Sequence, residues 1–155
     1  MKKILAVILT AVMTLAFFGC TDNKAKNYDA DVIADALNNQ LQFGEALEKS
    51  TAEAAYSVYG IDESLCTKAA YYCGSGATAD EIAVFNCVDE AALNEVLTAV
   101  EIRADYLREG YSSYGPEEVP KIDSAVITAI ENTVILCICE NSDTVFGIID
   151  SAAIK

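Results

Sequence analysis

Residues 81–107 read EIAVFNCVDEAALNEVLTAVEIRADYL, and two periods meet in them. Glu81 to Val88 alternates, with Ile82, Val84 and Val88 on one face, as a β-strand does. Asp89 has the short oxygen-bearing side chain of a helix N-cap. From there Leu93, Val96, Leu97, Val100, Ala104 and Leu107 recur at helical spacing, and the pattern stops near Gly110. A strand delivered into a capped amphipathic helix is the local unit, and a chain built from such units is α+β.

Working upstream, Lys68–Gly74 (KAAYYCG) is a second strand-like run, and Gly74-Ser75-Gly76 supplies the loop between the two. Tyr71 and Tyr72 point to opposite faces, which predicts one in the core and one in solvent. Ser50-Thr51-Ala52-Glu53 reads as a capping box opening a short helix that ends at Gly60. Asp29 caps an earlier helix carrying Ile33, Ala36, Leu37 and Leu41 on one face, ended or bent by Gly44. Downstream, residues 110–122 (GYSSYGPEEVPKI) hold both prolines and read as a loop. Ser124–Ile130 and Thr133–Cys139 flank Glu131-Asn132 as a second hairpin. Ser142 then caps a last helix with Val145, Phe146, Ile149 and Ala153. The expected fold is α+β: a single antiparallel sheet of about four strands in two hairpins, with helices packed on one face. The order is α-α-β-β-α-β-β-α, within one domain over residues 29–155.

The N-terminus has a different character. Lys2 and Lys3 are the only charges before Cys20, and residues 4–18 are apolar apart from Thr10 and Thr14. A positive start, a short apolar run and a small residue, Gly19, describe a secretory signal over residues 1–19. The run is shorter than the roughly 20 residues of a spanning helix, which disfavours the alternative of an uncleaved anchor. Cys20 after Gly19 fits a lipoprotein cleavage site. Phe18 stands where a small residue is usual, leaving cleavage elsewhere open. Residues 20–28 form a lipidated cysteine and a polar tether. The expected location is the outer face of a bacterial cytoplasmic membrane, held by lipid on Cys20.

Charge and composition exclude several functions. The formal net charge is −14 with no basic cluster, which argues against a nucleic-acid partner and against attraction to an anionic lipid surface. The chain has no histidine and no tryptophan, so Ser-His-Asp and Cys-His systems, histidine zinc sites and histidine-ligated haem are excluded. Gly74-Ser75-Gly76 is not a phosphate loop. The pairs Asp62-Glu63, Asp80-Glu81, Asp89-Glu90 and Glu117-Glu118, and the Asp29/Asp31 motif, lack the spacing of a calcium loop and read as helix starts and solvated faces. No metal site and no cofactor are expected. Beyond Cys20 five cysteines remain, Cys66, Cys73, Cys87, Cys137 and Cys139. Cys137 and Cys139 share a strand face, a redox pair in one reading and buried small hydrophobes in the other. A Cys73–Cys87 bridge across the first hairpin is conceivable in an exported protein. The candidate interaction loop holds Tyr111, Tyr114 and Pro116, since tyrosines beside Ser, Gly and Pro offer rigid amphipathic area. The competing reading has them closing the edge of the core.

Three fragments carry a family resemblance: Tyr59-Gly60-Ile61, Ala79-Asp80-Glu81-Ile82-Ala83-Val84-Phe85 and Tyr114-Gly115-Pro116. With them the chain resembles, over roughly residues 30 to 154, the small lipoproteins called domain of unknown function 4358. The resemblance implies a single exported domain, lipid-anchored at the surface of a Gram-positive anaerobe, and no activity or functional residue. The leading expectation is a non-enzymatic surface lipoprotein that binds a protein or envelope partner. The alternatives are a solute-capturing accessory of a transport system and, less favoured, a thiol oxidoreductase using Cys137 and Cys139.

Overall fold

The computed structural model describes residues 26–153. Residues 1–19 and Cys20 lie outside that range, and among the described residues no helix is long and apolar enough to cross a membrane.

Helix α1 (Ala30–Gln40) starts as expected: the Asp29 carboxylate accepts from the backbone N–H of Asp31 at 3.0 Å and of Val32 at 3.3 Å. A short strand β1 (Glu48–Ser50) precedes α2 (Ala52–Tyr59). The cap of α2 is Thr51, accepting from Ala54 N–H at 3.2 Å, and not Ser50, because Ser50 is the last residue of β1 and pairs with Tyr71. Gly60 ends α2 in the left-handed region at φ 65°, where a side chain would be strained. Strands β2 (Cys66–Cys73) and β3 (Glu81–Cys87) form the first hairpin, and Asp89 caps the long α3 (Glu90–Tyr114) through Ala92 N–H at 2.8 Å. The expected loop 110–122 is largely helical. α3 runs through Gly110 to bury Tyr111. Pro116 opens a 3-10 turn (Pro116–Glu118), and Pro120 lies in the first turn of α4 (Val119–Asp123), where a missing N–H costs nothing. The second hairpin joins β4 (Val126–Ile130) to β5 (Thr133–Ile138) across Glu131-Asn132, with Glu131 at φ 53°. Ser142 does not cap the last helix; it begins a 3-10 turn that feeds α5 (Val145–Ala152).

The sheet is single and antiparallel, in the order β1-β2-β3-β5-β4. It has five strands where four were expected. β1 is three residues long and charged, so it carries no alternation from which to be read. The helices cover both faces rather than one. α1 and α5 pack on the face bearing Tyr72, Ile82, Val84, Ile135 and Cys137, while α2, α3 and α4 pack on the face bearing Tyr71, Phe85, Val134, Leu136 and Ile138. The cause is in β3 and β5, whose residues are buried at every position, so neither face tolerates water. For the same reason Tyr71 and Tyr72 are both buried, one per face, instead of one facing solvent. Val88, expected on the strand's apolar face, lies past the end of β3 and is exposed.

Candidate functional site

The first turn of β3 controls the polar interior. Along this strand odd residues face α3, so the position that places Ala83 and Phe85 in that core also sends Glu81 into it. The carboxylate is not left alone. Arg103, from the inner side of α3, meets it in two parallel hydrogen bonds, Nε to Oε1 at 3.1 Å and an Nη to Oε2 at 2.7 Å. The Tyr59 hydroxyl donates to Oε1 at 2.5 Å, and the Tyr71 hydroxyl donates to Oε2 at 3.3 Å. Arg103 also stacks against two rings, with its guanidinium carbon 5.9 Å from the centre of Tyr59 and 5.8 Å from that of Tyr106. Side-chain exposure is 5% for Glu81 and 16% for Arg103. Burial works against the charge of Arg103, but the Glu81 carboxylate outweighs it and the guanidinium is held more firmly protonated than usual. Burial, then the neighbouring Glu81 charge, raises the pKa of Tyr59 well above the phenol range and that of Tyr71 in the same direction.

One residue earlier, Asp80 points to the opposite side and ties three segments together. Its Oδ2 accepts from Gly44 N–H at 2.7 Å and from the Thr78 hydroxyl at 2.9 Å. Its Oδ1 lies 3.0 Å from the buried Nζ of Lys121, an ion-pair distance without hydrogen-bond geometry. Lys121 donates instead to Glu118 Oε2 at 2.8 Å, and Glu118 Oε2 accepts from Ala79 N–H at 2.8 Å. Burial opposes the charges of Lys121 and Glu118, yet their partners win: the lysine pKa is raised and the glutamate pKa lowered. The sequence reading of Asp80-Glu81 as a solvated pair is therefore overturned, since both are buried. The other carboxylates behave as expected of caps and surface. Asp29, Asp62 and Asp89 cap helical starts. Asp29, Asp31 and Asp35 gather around Lys49 and Lys68 at 2.8–3.1 Å. No cluster able to hold a metal ion occurs among the described residues.

Above these networks is a cleft of about 280 Å³, bounded by the 74–79 loop, the start of β3 and the C-terminal half of α3, with Tyr71, Asp80, Glu81, Arg103, Tyr111 and Tyr114 in its lining. The sequence-selected tyrosines divide here. Tyr111 is buried; its hydroxyl donates to the Thr78 carbonyl, with the Gly76 carbonyl 3.1 Å away, so it clamps the loop of the first hairpin onto α3. Burial, with Tyr114 beside it, raises its pKa. Tyr114 is 65% exposed and leans on Tyr111 with ring centres 4.7 Å apart. Pro116 is exposed in the 3-10 turn beyond and does not line the cleft. Sequence reasoning missed Arg103 and Lys121. The signal for Arg103 was present: it falls between Val100 and Leu107 on the apolar stripe of α3, where a charge needs a buried partner.

Among the described residues Cys66, Cys73, Cys87, Cys137 and Cys139 are unbridged. Cys137 and Cys139 do face the same side, but both are fully buried in the core under α1 and α5, and contact with Cys139, then burial, pushes the Cys137 thiol up. Cys73 is not opposite Cys87: its partner on β3 is Glu81, and the residue across from Cys87 is Cys66.

Comparison with curated proteins and with solved structures gives no match. A family model does match: the one described as Domain of unknown function (DUF4358) covers residues 39–139, from the end of α1 through all five strands. With more than half its length so matched, the chain belongs to the DUF4358 family.

Proposed function

We propose that this protein is a lipid-anchored surface lipoprotein whose cleft at Tyr114 receives a protein or envelope partner without chemical change to it. The observation that carries this reading is the placement of two features at opposite ends of β3. At one end Asn86 grips the start of the domain: its Nδ2 donates to the Tyr28 carbonyl at 2.6 Å and its Oδ1 accepts from Ala30 N–H at 2.9 Å, while the Thr133 hydroxyl also donates to the Tyr28 carbonyl at 3.0 Å. At the other end, about 17 Å along the strand, are Glu81 and the cleft. Lys26 is paired with Asp150 of α5, so a tether running from there toward lipid on Cys20 would turn the cleft away from the bilayer.

The chemistry of the cleft supports recognition. Its charged groups are already paired inside the domain, so they hold the walls rigid, and the group left free is an aromatic ring on a helix end. The buried state of Cys137 and Cys139 gives a thiol oxidoreductase little support.

The test is site-specific photocrosslinking in intact cells from position 114, with position 146 as the control; Phe146 is 53% exposed and belongs to α5 on the opposite face. The expected result is a discrete adduct from 114 that is absent from 146. Equal labelling from both positions, or none from 114, overturns the reading.

A further inference from the structure

The cysteines across the first hairpin form a second, independent feature. Cys66 opens β2 and is the register partner of Cys87, which closes β3, and the register shifts at a β-bulge just beyond, between Cys66 and Lys68. The backbone of Cys87 faces away from β2: its N–H donates to the Asn132 carbonyl at 2.7 Å and its carbonyl accepts from Asn132 Nδ2 at 3.3 Å. The neighbouring Val88 N–H does cross to β2, donating to the Leu65 carbonyl at 3.0 Å. Cys66 and Cys87 therefore occupy a pair that shares no backbone hydrogen bond, where the Cα atoms of facing residues come to about 4.5 Å and side chains are closest. That separation is inside the roughly 4.4–6.8 Å a disulfide spans. Cys66 is half-buried and Cys87 buried.

The geometry points to Cys66 and Cys87 as a cross-strand disulfide pair that staples the start of β2 to the end of β3. Closure runs by exchange with a small disulfide oxidant. The half-exposed Cys66 sulfur, as thiolate, attacks the oxidant and releases its first thiol. Cys87, as thiolate, then attacks the Cys66 sulfur of the mixed disulfide and releases the second. The two thiol hydrogens of the protein end on the two released thiols, and the two electrons reduce the oxidant. Other pairings are disfavoured by position. Cys73 faces Glu81 at the far end of the hairpin. Cys137 and Cys139 are sealed from an oxidant by full burial. The proposal concerns the domain's own chemistry and stands whether or not Cys20 carries lipid.

The experiment is peptide mapping of the full chain, purified in detergent, equilibrated with oxidised glutathione, unfolded and alkylated. The expected product is a peptide joined through Cys66 and Cys87, with Cys73, Cys137 and Cys139 alkylated, and an oxidised form melting about 5–10 °C above the reduced one. Cys73→Ser keeps the linked peptide and Cys66→Ser abolishes it. The wild-type and Cys73→Ser maps decide the matter if Cys66→Ser fails to fold. Alkylation of both Cys66 and Cys87 after oxidation, a link between any other two, or no gain in melting temperature overturns the proposal.

Discussion

At the scale of single residues, the domain's polar interior rests on Glu81 and Arg103. Because each satisfies the other in a dry setting, removing one leaves a buried charge. E81Q is expected to lose about 3 kcal/mol of unfolding free energy in a denaturant titration, whereas the E81Q/R103M double variant, which removes both charges and keeps an amide oxygen to accept from the Tyr59 hydroxyl, recovers most of that loss. A double variant as unstable as E81Q would show that the pair's own geometry, and not its uncompensated partner, carries the cost. Tyr111 contributes differently, through one hydroxyl on the 76–78 backbone. Y111F is expected to cost about 1 kcal/mol and to speed hydrogen exchange at Gly76–Thr78 while leaving exchange in β5 unchanged. The role of Tyr111 was half legible in the sequence. A tyrosine beside glycine and proline announces either a recognition surface or a lid, and only the fold brings the 74–79 loop over it.

At the scale of elements, most starts and stops could be read in advance because they are set by local chemistry. Asp29 and Asp89 cap as their side chains require, and Gly60 ends α2 in a conformation other residues avoid. The capping box at 50–53 was misplaced by one position, since nothing local distinguishes Ser50 from Thr51 and a tertiary event, the pairing of Ser50 with Tyr71, decides. T51A should therefore lower stability by about 1 kcal/mol while S50A changes it by only a few tenths, as seen in thermal melts. The prolines misled in the same way. Pro116 and Pro120 mark the beginnings of helical turns, a use of proline that its frequency in loops conceals. The α1 surface carries a pH signature. Lys68, against desolvation, holds the Asp29 carboxyl below its usual range, and Lys49 does the same for Asp31 and Asp35. A carboxyl depressed in the folded state stabilises above its unfolded pKa and loses that contribution as pH falls through the folded value. The stability difference between wild type and K49M is therefore expected to be constant near neutrality, to shrink as pH falls below about 4, and to vanish only below the depressed folded values of Asp31 and Asp35, measured by urea midpoints across pH. A difference that persists in acid would assign Lys49 a packing role in place of a charge role.

At the scale of the whole molecule, the sheet was legible and its surroundings were only partly so. Both hairpins and the α+β class follow from the period-two runs, but the number of covered faces depends on the residues between the conspicuous ones. Reading Ile82 and Val84 as one buried face passed over Ala83, Phe85 and Cys87, which bury the other. Once two faces are covered, α1 and α5 have a sheet of their own to pack on, and the start of the domain is fixed against Asn86 and Thr133, far along β3 from the cleft. That polarity gives meaning to an anchor at residues outside the described range: a lipid on Cys20 would hold one end of the sheet to the bilayer and present Tyr114 outward. The most direct measurement is intact-mass analysis of the membrane-extracted protein beside a Cys20→Ser control. The account predicts a chain beginning at Cys20 with the mass of attached acyl groups, both features lost in the control. An unlipidated chain that retains residues 1–19 would contradict it.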